Sequence, residues 1–215
     1  IAPAPTTGAA RTVWGHLLEA MAIVGGELGL QQLIAEVEGE GAELEVLRQA
    51  GFAVYGRQDI LRRAPTTAPV GPADDLPALR PATALDAWAV QQLYYNTVPR
   101  LAQLAEAAPA TRPSSAARRY VWEESGELMA CLEIRRGPLG VWFSVLIHPQ
   151  AENCARRVLS YGLTAAGEQG DKPIYCCVRR YQEWLRAPLL ALGFEPYTSS
   201  VVLVKRLAAP VVEAE

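Results

Sequence analysis

Val141 to Leu163 reads VWFSVLIHPQAENCARRVLSYGL: an apolar strand, a turn at His148-Pro149, and an amphipathic helix that the spacing predicts to begin near Asn153. A buried strand that feeds a helix N-terminus leaves several backbone N–H groups pointing at one spot, and such a spot attracts anions, phosphates above all. The rest of the chain is ordered around this unit.

Upstream of it stand three strand candidates in succession, Arg119–Glu123, Leu128–Arg136 and Gly140–Ile147. Their turns fall at Ser125-Gly126 and Gly137-Pro138, the pattern of an antiparallel meander. Before the meander, LRPATALDAWAVQQLYY carries a short strand at Leu79-Arg80 and a helix whose start is marked by Thr83 or Asp86. Ala107–Ala117 reads as a loop. Downstream, Pro173–Val178 is a strand, Tyr181–Leu192 a helix interrupted around Pro188, and Phe194–Leu207 strand material.

The N-terminal part has a similar order. Arg11–Glu27 is helical in spacing and is closed by Gly25, Gly26 and Gly29. Leu30–Val37 is a strand, Gly41–Ala50 a helix, and Phe52–Arg63 strand material with a turn at Gly56-Arg57. LRQAGFAVYGRQDILRR (Leu47–Arg63) lines up with LLALGFEPYTSSVVLVKR (Leu189–Arg206), sharing Gly-Phe, then a tyrosine (Tyr55, Tyr197), then an apolar strand ending in basic residues. The helices before them match in kind, with HLLEA opposite RVLSY. Residues 1–63 therefore read as the back half of a unit whose complete copy occupies 77–210, joined by a Pro- and Ala-rich linker at 64–76. The expectation is a tandem protein with a truncated first copy. Its first strand needs a cover, because an unpaired apolar edge is a liability: a missing N-terminal half-domain, the second domain, or another chain in a homodimer.

Composition narrows the class. The 215 residues are 50% hydrophobic and 20% charged, with a net charge of -3 and dispersed basic residues, a pattern that gives no footprint for nucleic acid. No apolar run reaches membrane-span length, and IAPAPTT lacks the basic and apolar regions of a signal peptide. Cys131, Cys154, Cys176 and Cys177 have no C-x-x-C spacing and read as reduced thiols of a cytoplasmic protein. His16 and His148 have no ligand-spaced partners, so no metal site is expected.

The second copy resembles the GNAT superfamily of acyl-coenzyme A transferases. LRPAT…D looks like that family's first strand and helix, the meander like its second to fourth strands, IHPQAENCARRVL like its cofactor motif, and LGFEPY like its C-terminal signature. The resemblance implies an α/β fold with a mixed, splayed sheet flanked by helices and coenzyme in the gap. It implies acetyl-coenzyme A (acetyl-CoA) as cofactor, an unknown amine as acceptor, and cofactor-binding residues Ile147, Gln150, Asn153, Cys154, Ala155, Arg156 and Arg157. In the family's phosphate loop, Gln150 takes the first position, Asn153 stands where glycine is usual, and Ala155 fits the third. The first copy would place Ala9, Thr12 and Trp14 there, and Trp14 projects bulk where phosphate should approach. The family's tyrosine acid falls on Leu47 and Leu189, and its helix asparagine on Glu40 and Gln182.

Two residues remain as catalytic candidates. Glu133, mid-strand, is a general base acting through water, or a carboxylate paired with Arg135 or Arg136 on a solvated face. His148, at the strand end, is a base of near-neutral pKa or a structural polar residue. Cys154 beside Arg156 and Arg157 is a reactive thiol or an inert one, and Tyr197 lines the cleft or packs in a strand. Two functions follow: an N-acetyltransferase with its cofactor at the Gln150–Arg157 turn, or a catalytically inactive GNAT-like ligand-binding or protein-interaction module.

Overall fold

The computed structural model describes residues 4–65, 79–106, 108–109, 117–166 and 172–207. Most of the expected linker at 64–76, most of the Ala107–Ala117 loop and the first three residues lie outside that set. Two compact units emerge: Ile1–Gln58 with Ser199–Glu215, and Asp59–Thr198. The division falls inside two strands, β2 (Ala53–Arg63) and β8 (Glu195–Arg206).

In the smaller unit, α1 (Gly8–Glu27) starts at Thr7, whose hydroxyl accepts the Ala10 N–H at 3.2 Å. The helix runs through Gly25 and Gly26, two residues beyond the first expected stop. β1 (Gln32–Glu38) follows, then α2 (Ala42–Gln49). β1 pairs antiparallel with β8 from Gln32↔Arg206 to Glu38↔Ser200, and the order here is β1-β8-β2. β2 is continuous through Gly56-Arg57, so the expected turn there does not form; Gln58 and Leu61 beyond it are buried. Leu18, Leu44, Val46, Leu47, Phe52, Val201 and Leu203 make the core, while Val13, Leu17, Met21 and Val24 of α1 are exposed.

The larger unit holds β3 (Arg80–Pro81), α3 (Ala87–Thr97), α4 (Arg100–Ala105), β4 (Ala117–Glu124), β5 (Glu127–Arg136), β6 (Val141–Ile147), α5 (Ala155–Ala166), β7 (Ile174–Arg179) and α6 (Arg186–Ala191). Its strand order is β2-β7-β6-β5-β4-β3. β3 to β6 pair antiparallel, as the meander pattern requires, and β6–β7 is parallel. The sheet is therefore mixed, with helices against it. Phe143, Leu132, Leu159, Leu189, Phe194 and Leu61 are fully buried in its main core. α5 sits close on the sheet at Gly162, where a Cβ would come within 2.7 Å of Leu132 Cδ2 and 3.1 Å of Phe143 Cε2.

Asp86 fixes the entry to α3. Its carboxylate accepts the Thr83 N–H at 2.7 Å and hydroxyl at 2.9 Å, and takes both Arg80 Nη1 and Nη2, at 2.9 and 2.7 Å. The expected break at Pro188 falls earlier. A 3-10 segment at Arg180–Leu185, kinked at Gln182, gives way to α6, and Pro188 is accepted in the first turn, where its missing N–H costs no helix bond.

The element order helix–strand–helix–strand occurs twice, as α1-β1-α2-β2 and α5-β7-α6-β8. Both second helices stop in the same way: Gly51 (φ +85°) and Gly193 (φ +79°) take the left-handed conformation, and the following Phe N–H bonds back to Leu47 O and Leu189 O at 3.0 and 3.1 Å.

Candidate functional site

The site begins where β6 and β7 separate. The parallel pair holds at Val141↔Ile174, Trp142↔Tyr175 and Phe143↔Cys176. Past those positions Ser144, Val145, Leu146, Cys177 and Arg179 border a cavity of about 780 Å³, lined also by Tyr94 and Val98 of the α3 region and by Tyr181 and Gln182. A strand leaving its neighbour frees backbone groups that must be satisfied elsewhere. Gln182, buried in the 3-10 segment after β7, does this for one of them, donating Nε2–H to Val145 O at 2.9 Å.

One wall of the cavity is charged. Arg119 of β4 stands opposite Glu133 of β5, and its Nε and Nη2 reach Glu133 Oε2 at 3.3 and 2.7 Å, while Arg135 Nη2 reaches Oε1 at 2.9 Å. The Arg119 side chain is 4% exposed, that of Glu133 16% and that of Arg135 62%. Burial alone would raise the Glu133 carboxyl, but the hydrogen bonds from Arg119 and then Arg135 outweigh it and hold it below its ordinary range. Glu133 thus stands in the cavity as a stable anion, and its partners are Arg119 and Arg135; Arg136 instead donates to Ala165 O at 3.1 Å. On the opposite side Glu106 and Arg179 form a close ion pair. Burial raises the hydroxyl pKa of Tyr181, and burial with nearby Glu106 raises that of Tyr94, so both keep their protons at neutral pH. Cys131, also on the wall, is pushed up to about 12 by burial and stays a thiol.

β6 then leads to the turn. Ile147 is buried, and His148 caps a 3-10 segment, Pro149–Cys154, that precedes α5, so the helix proper starts two residues after the expected Asn153. His148 Nδ1 accepts the Gln150 N–H at 3.3 Å, His148 O accepts that of Ala151 at 2.8 Å, and the Ala155 N–H bonds to Glu152 O. The His148 ring, whose Nε2 lies 3.7 Å from Glu127 Oε1, is outside the described cavity lining. Gln150, Asn153 and Arg156 are exposed, Ala155 is fully buried, and Arg157 Nη2 lies 2.9 Å from the buried Cys154 Sγ. Asn153 has right-handed backbone, since Ser125 is the one non-glycine residue at positive φ among those described. The first turn of α5 holds two arginines and no acid. That is the reverse of what a helix N-terminus alone favours.

The structure thus brings Glu133 to the cavity and gathers Ile147 to Arg157 at the turn beyond it. Tyr197 is 55% exposed and lies beside Tyr175, outside the described lining. Sequence reasoning missed Arg119, Glu106, Arg179, Tyr94 and Tyr181. A usable signal existed for Tyr181 and Gln182, which directly follow the strand that ends at the split.

No family model matches the sequence, and no curated protein does. Among the described residues, no helix is long and apolar enough to cross a membrane. Solved structures do match. A functionally unknown conserved protein from Staphylococcus epidermidis superposes at TM-score 0.66 with 9% identity, over 92% of this chain and 81% of its own. A GCN5-related N-acetyltransferase from Kribbella flavida gives 0.60 and 16%, over 91% and 76%. A tandem GNAT protein from the clavulanic acid biosynthesis pathway gives 0.56 and 17%, over 94% and 70%. At such identities the likeness establishes the fold: a GNAT-type mixed α/β sheet.

Proposed function

We propose that the larger unit is an acetyl-CoA-dependent N-acetyltransferase acting on an amine, and that α1-β1-α2-β2 is a degenerate partial repeat of it. The observation that carries the reading is the parting of β6 and β7 after Phe143 and Cys176, with a cavity at the parting and a helix N-terminus beyond it. Neighbours of the same fold named as GCN5-related N-acetyltransferases support the same chemistry.

The residues present fit the cofactor. Val145, Leu146 and Ile147 offer an apolar strand with backbone groups beside the gap. At the turn, Ala155 brings no side chain beyond Cβ, and Arg156 and Arg157 add cations to the positive end of α5, an arrangement that suits a pyrophosphate. Gln150, Ala151 and Ala155 amides already have internal acceptors, so Arg156 and Arg157 carry more of the anion binding than a glycine loop would require. When bound, the cofactor supplies an activated acetyl thioester.

This chain's residues then orient and move protons. Gln182 fixes the Val145 peptide beside the gap. Tyr181 lines the cavity and keeps its proton, so its hydroxyl would be the proton donor beside the gap, a role that Leu189, fully buried in the core, could not fill. Glu133, held as an anion between Arg119 and Arg135, positions Arg135 on the acceptor side rather than acting as the general base. His148 holds the turn through Gln150 N–H. Calorimetric titration with acetyl-CoA tests the reading. Micromolar binding, weakened at least tenfold by Arg156→Glu with Arg157→Glu, is expected; no heat at millimolar ligand refutes it.

A further inference from the structure

The cavity and the strip of sheet next to it restrict the acceptor. We infer that the acceptor is an amine that also carries a carboxylate and an aromatic ring, with the carboxylate at Arg135 and the ring on Trp142. This rests on the acyltransferase reading for the word acceptor, though not for the binding itself.

Three facts converge. Alternate residues of a strand share a face, so Arg135, Trp142 and Tyr175 lie on the face that carries Glu133, Ser144 and Cys177 into the cavity, one step further from the split. Arg135 is directly opposite Trp142 across β5–β6, and Trp142 opposite Tyr175 across β6–β7, so the three form one row. The row is aromatic and accessible: Trp142 is 40% exposed and stacks on Tyr175 at 5.3 Å and 22°, and Tyr175 meets Tyr197 edge-on at 5.6 Å. Arg62 lies 4.9 Å over the Tyr197 ring, at the far end.

The charge has a definite sign. On the wall, two guanidiniums, Arg119 and Arg135, share the single carboxylate of Glu133; on the other side Arg179 and Glu106 pair one to one. The described charged lining is therefore three arginines against two glutamates, a formal +1 in a chain of net charge -3. Such a lining repels a polyamine or other multiply cationic acceptor and favours an amine whose own carboxylate meets the exposed arginine, Arg135. It also favours the neutral, nucleophilic form of that amine. The ring of the same molecule then has Trp142 to cover.

The test is equilibrium binding to the full chain by calorimetry, with L-phenylalanine, phenethylamine (ring, no carboxylate) and L-alanine (carboxylate, no ring). L-phenylalanine is expected to bind at least tenfold more tightly than either. Arg135→Gln should bring it down to the level of phenethylamine, and Trp142→Ala to the level of L-alanine. Equal or tighter binding of phenethylamine, no binding of any of the three, or unchanged selectivity in both variants overturns the inference. The comparison among ligands uses unaltered protein and does not depend on the variants folding. Failure here with acetyl-CoA binding intact leaves the acyltransferase reading standing, and selectivity without acetyl-CoA binding does the reverse.

Discussion

Replacing Glu133 with glutamine removes the shared acceptor of two arginines while keeping the side chain's shape. Arg119 is the partner that matters, because its guanidinium is almost wholly withdrawn from water and opposite Glu133 in the ladder. Removing one member of a buried ion pair typically costs about 3–5 kcal/mol, since the remaining charge is left in a poor solvent. The amide oxygen of glutamine still accepts one bond and the site is not fully closed, so we expect about 2–3 kcal/mol, or a fall in Tm of about 4–12 °C at this chain length. Arg135→Gln, at the exposed end of the same carboxylate, should cost no more than about 1 kcal/mol. The pH dependence has a fixed sign. Because the folded Glu133 carboxyl lies below its ordinary value of about 4.3, its stabilisation is complete above that value and fades as pH falls toward the folded one. The gap between parent and Glu133→Gln should therefore narrow on acidification. Urea titrations from pH 7 to pH 3 read all of this. A Glu133→Gln protein within about 0.5 kcal/mol of the parent at pH 7, or an Arg135→Gln cost equal to that of Glu133→Gln, would refute the reasoning.

Other perturbations follow from the same geometry. Gly51→Ala and Gly193→Ala each force a Cβ into left-handed backbone and should cost about 1–2 kcal/mol in thermal melts, with no loss from the same change at the half-buried, helical Gly15, where a Cβ meets nothing within 4 Å. Asp86→Asn weakens the Thr83 and Arg80 contacts and should cost about 1–2 kcal/mol. Its hydrogen bonds from Arg80 hold the Asp86 carboxyl well below the usual carboxylate range, so the variant should also flatten the loss of stability seen as pH drops below about 4. Gln182→Leu leaves Val145 O without its side-chain donor and should cost about 1–3 kcal/mol by urea denaturation; an unchanged midpoint would mean the carbonyl finds another partner.

The elements were legible where one rule governed them. Alternation and the Ser125-Gly126 and Gly137-Pro138 turns located the meander, and Gly-Phe located both left-handed helix ends, because each is a local matter of sterics or burial. The charged cavity wall was not legible. Counting back from the Glu124–Glu127 pair at the turn places Arg119 opposite Leu132, on the wrong face. A register shift between Trp122 and Glu123 moves it to Glu133, and nothing in the local sequence announces that bulge. The strand, turn and helix after Val141 were read in the right place but not in the right form, since Pro149 and the His148 acceptor wind Gln150–Cys154 into a 3-10 segment before the helix begins. Pairings such as Arg179 with Glu106, 73 residues apart, depend on how strands and helices meet and leave no spacing signature.

The most direct measurement is amide hydrogen exchange of the whole chain with and without acetyl-CoA. Slowed exchange concentrated in Ser144–Arg157 and Cys177–Gln182 is expected if the parting of β6 and β7 is the cofactor cleft. Binding that leaves those two segments unchanged and protects another part of the chain would contradict it.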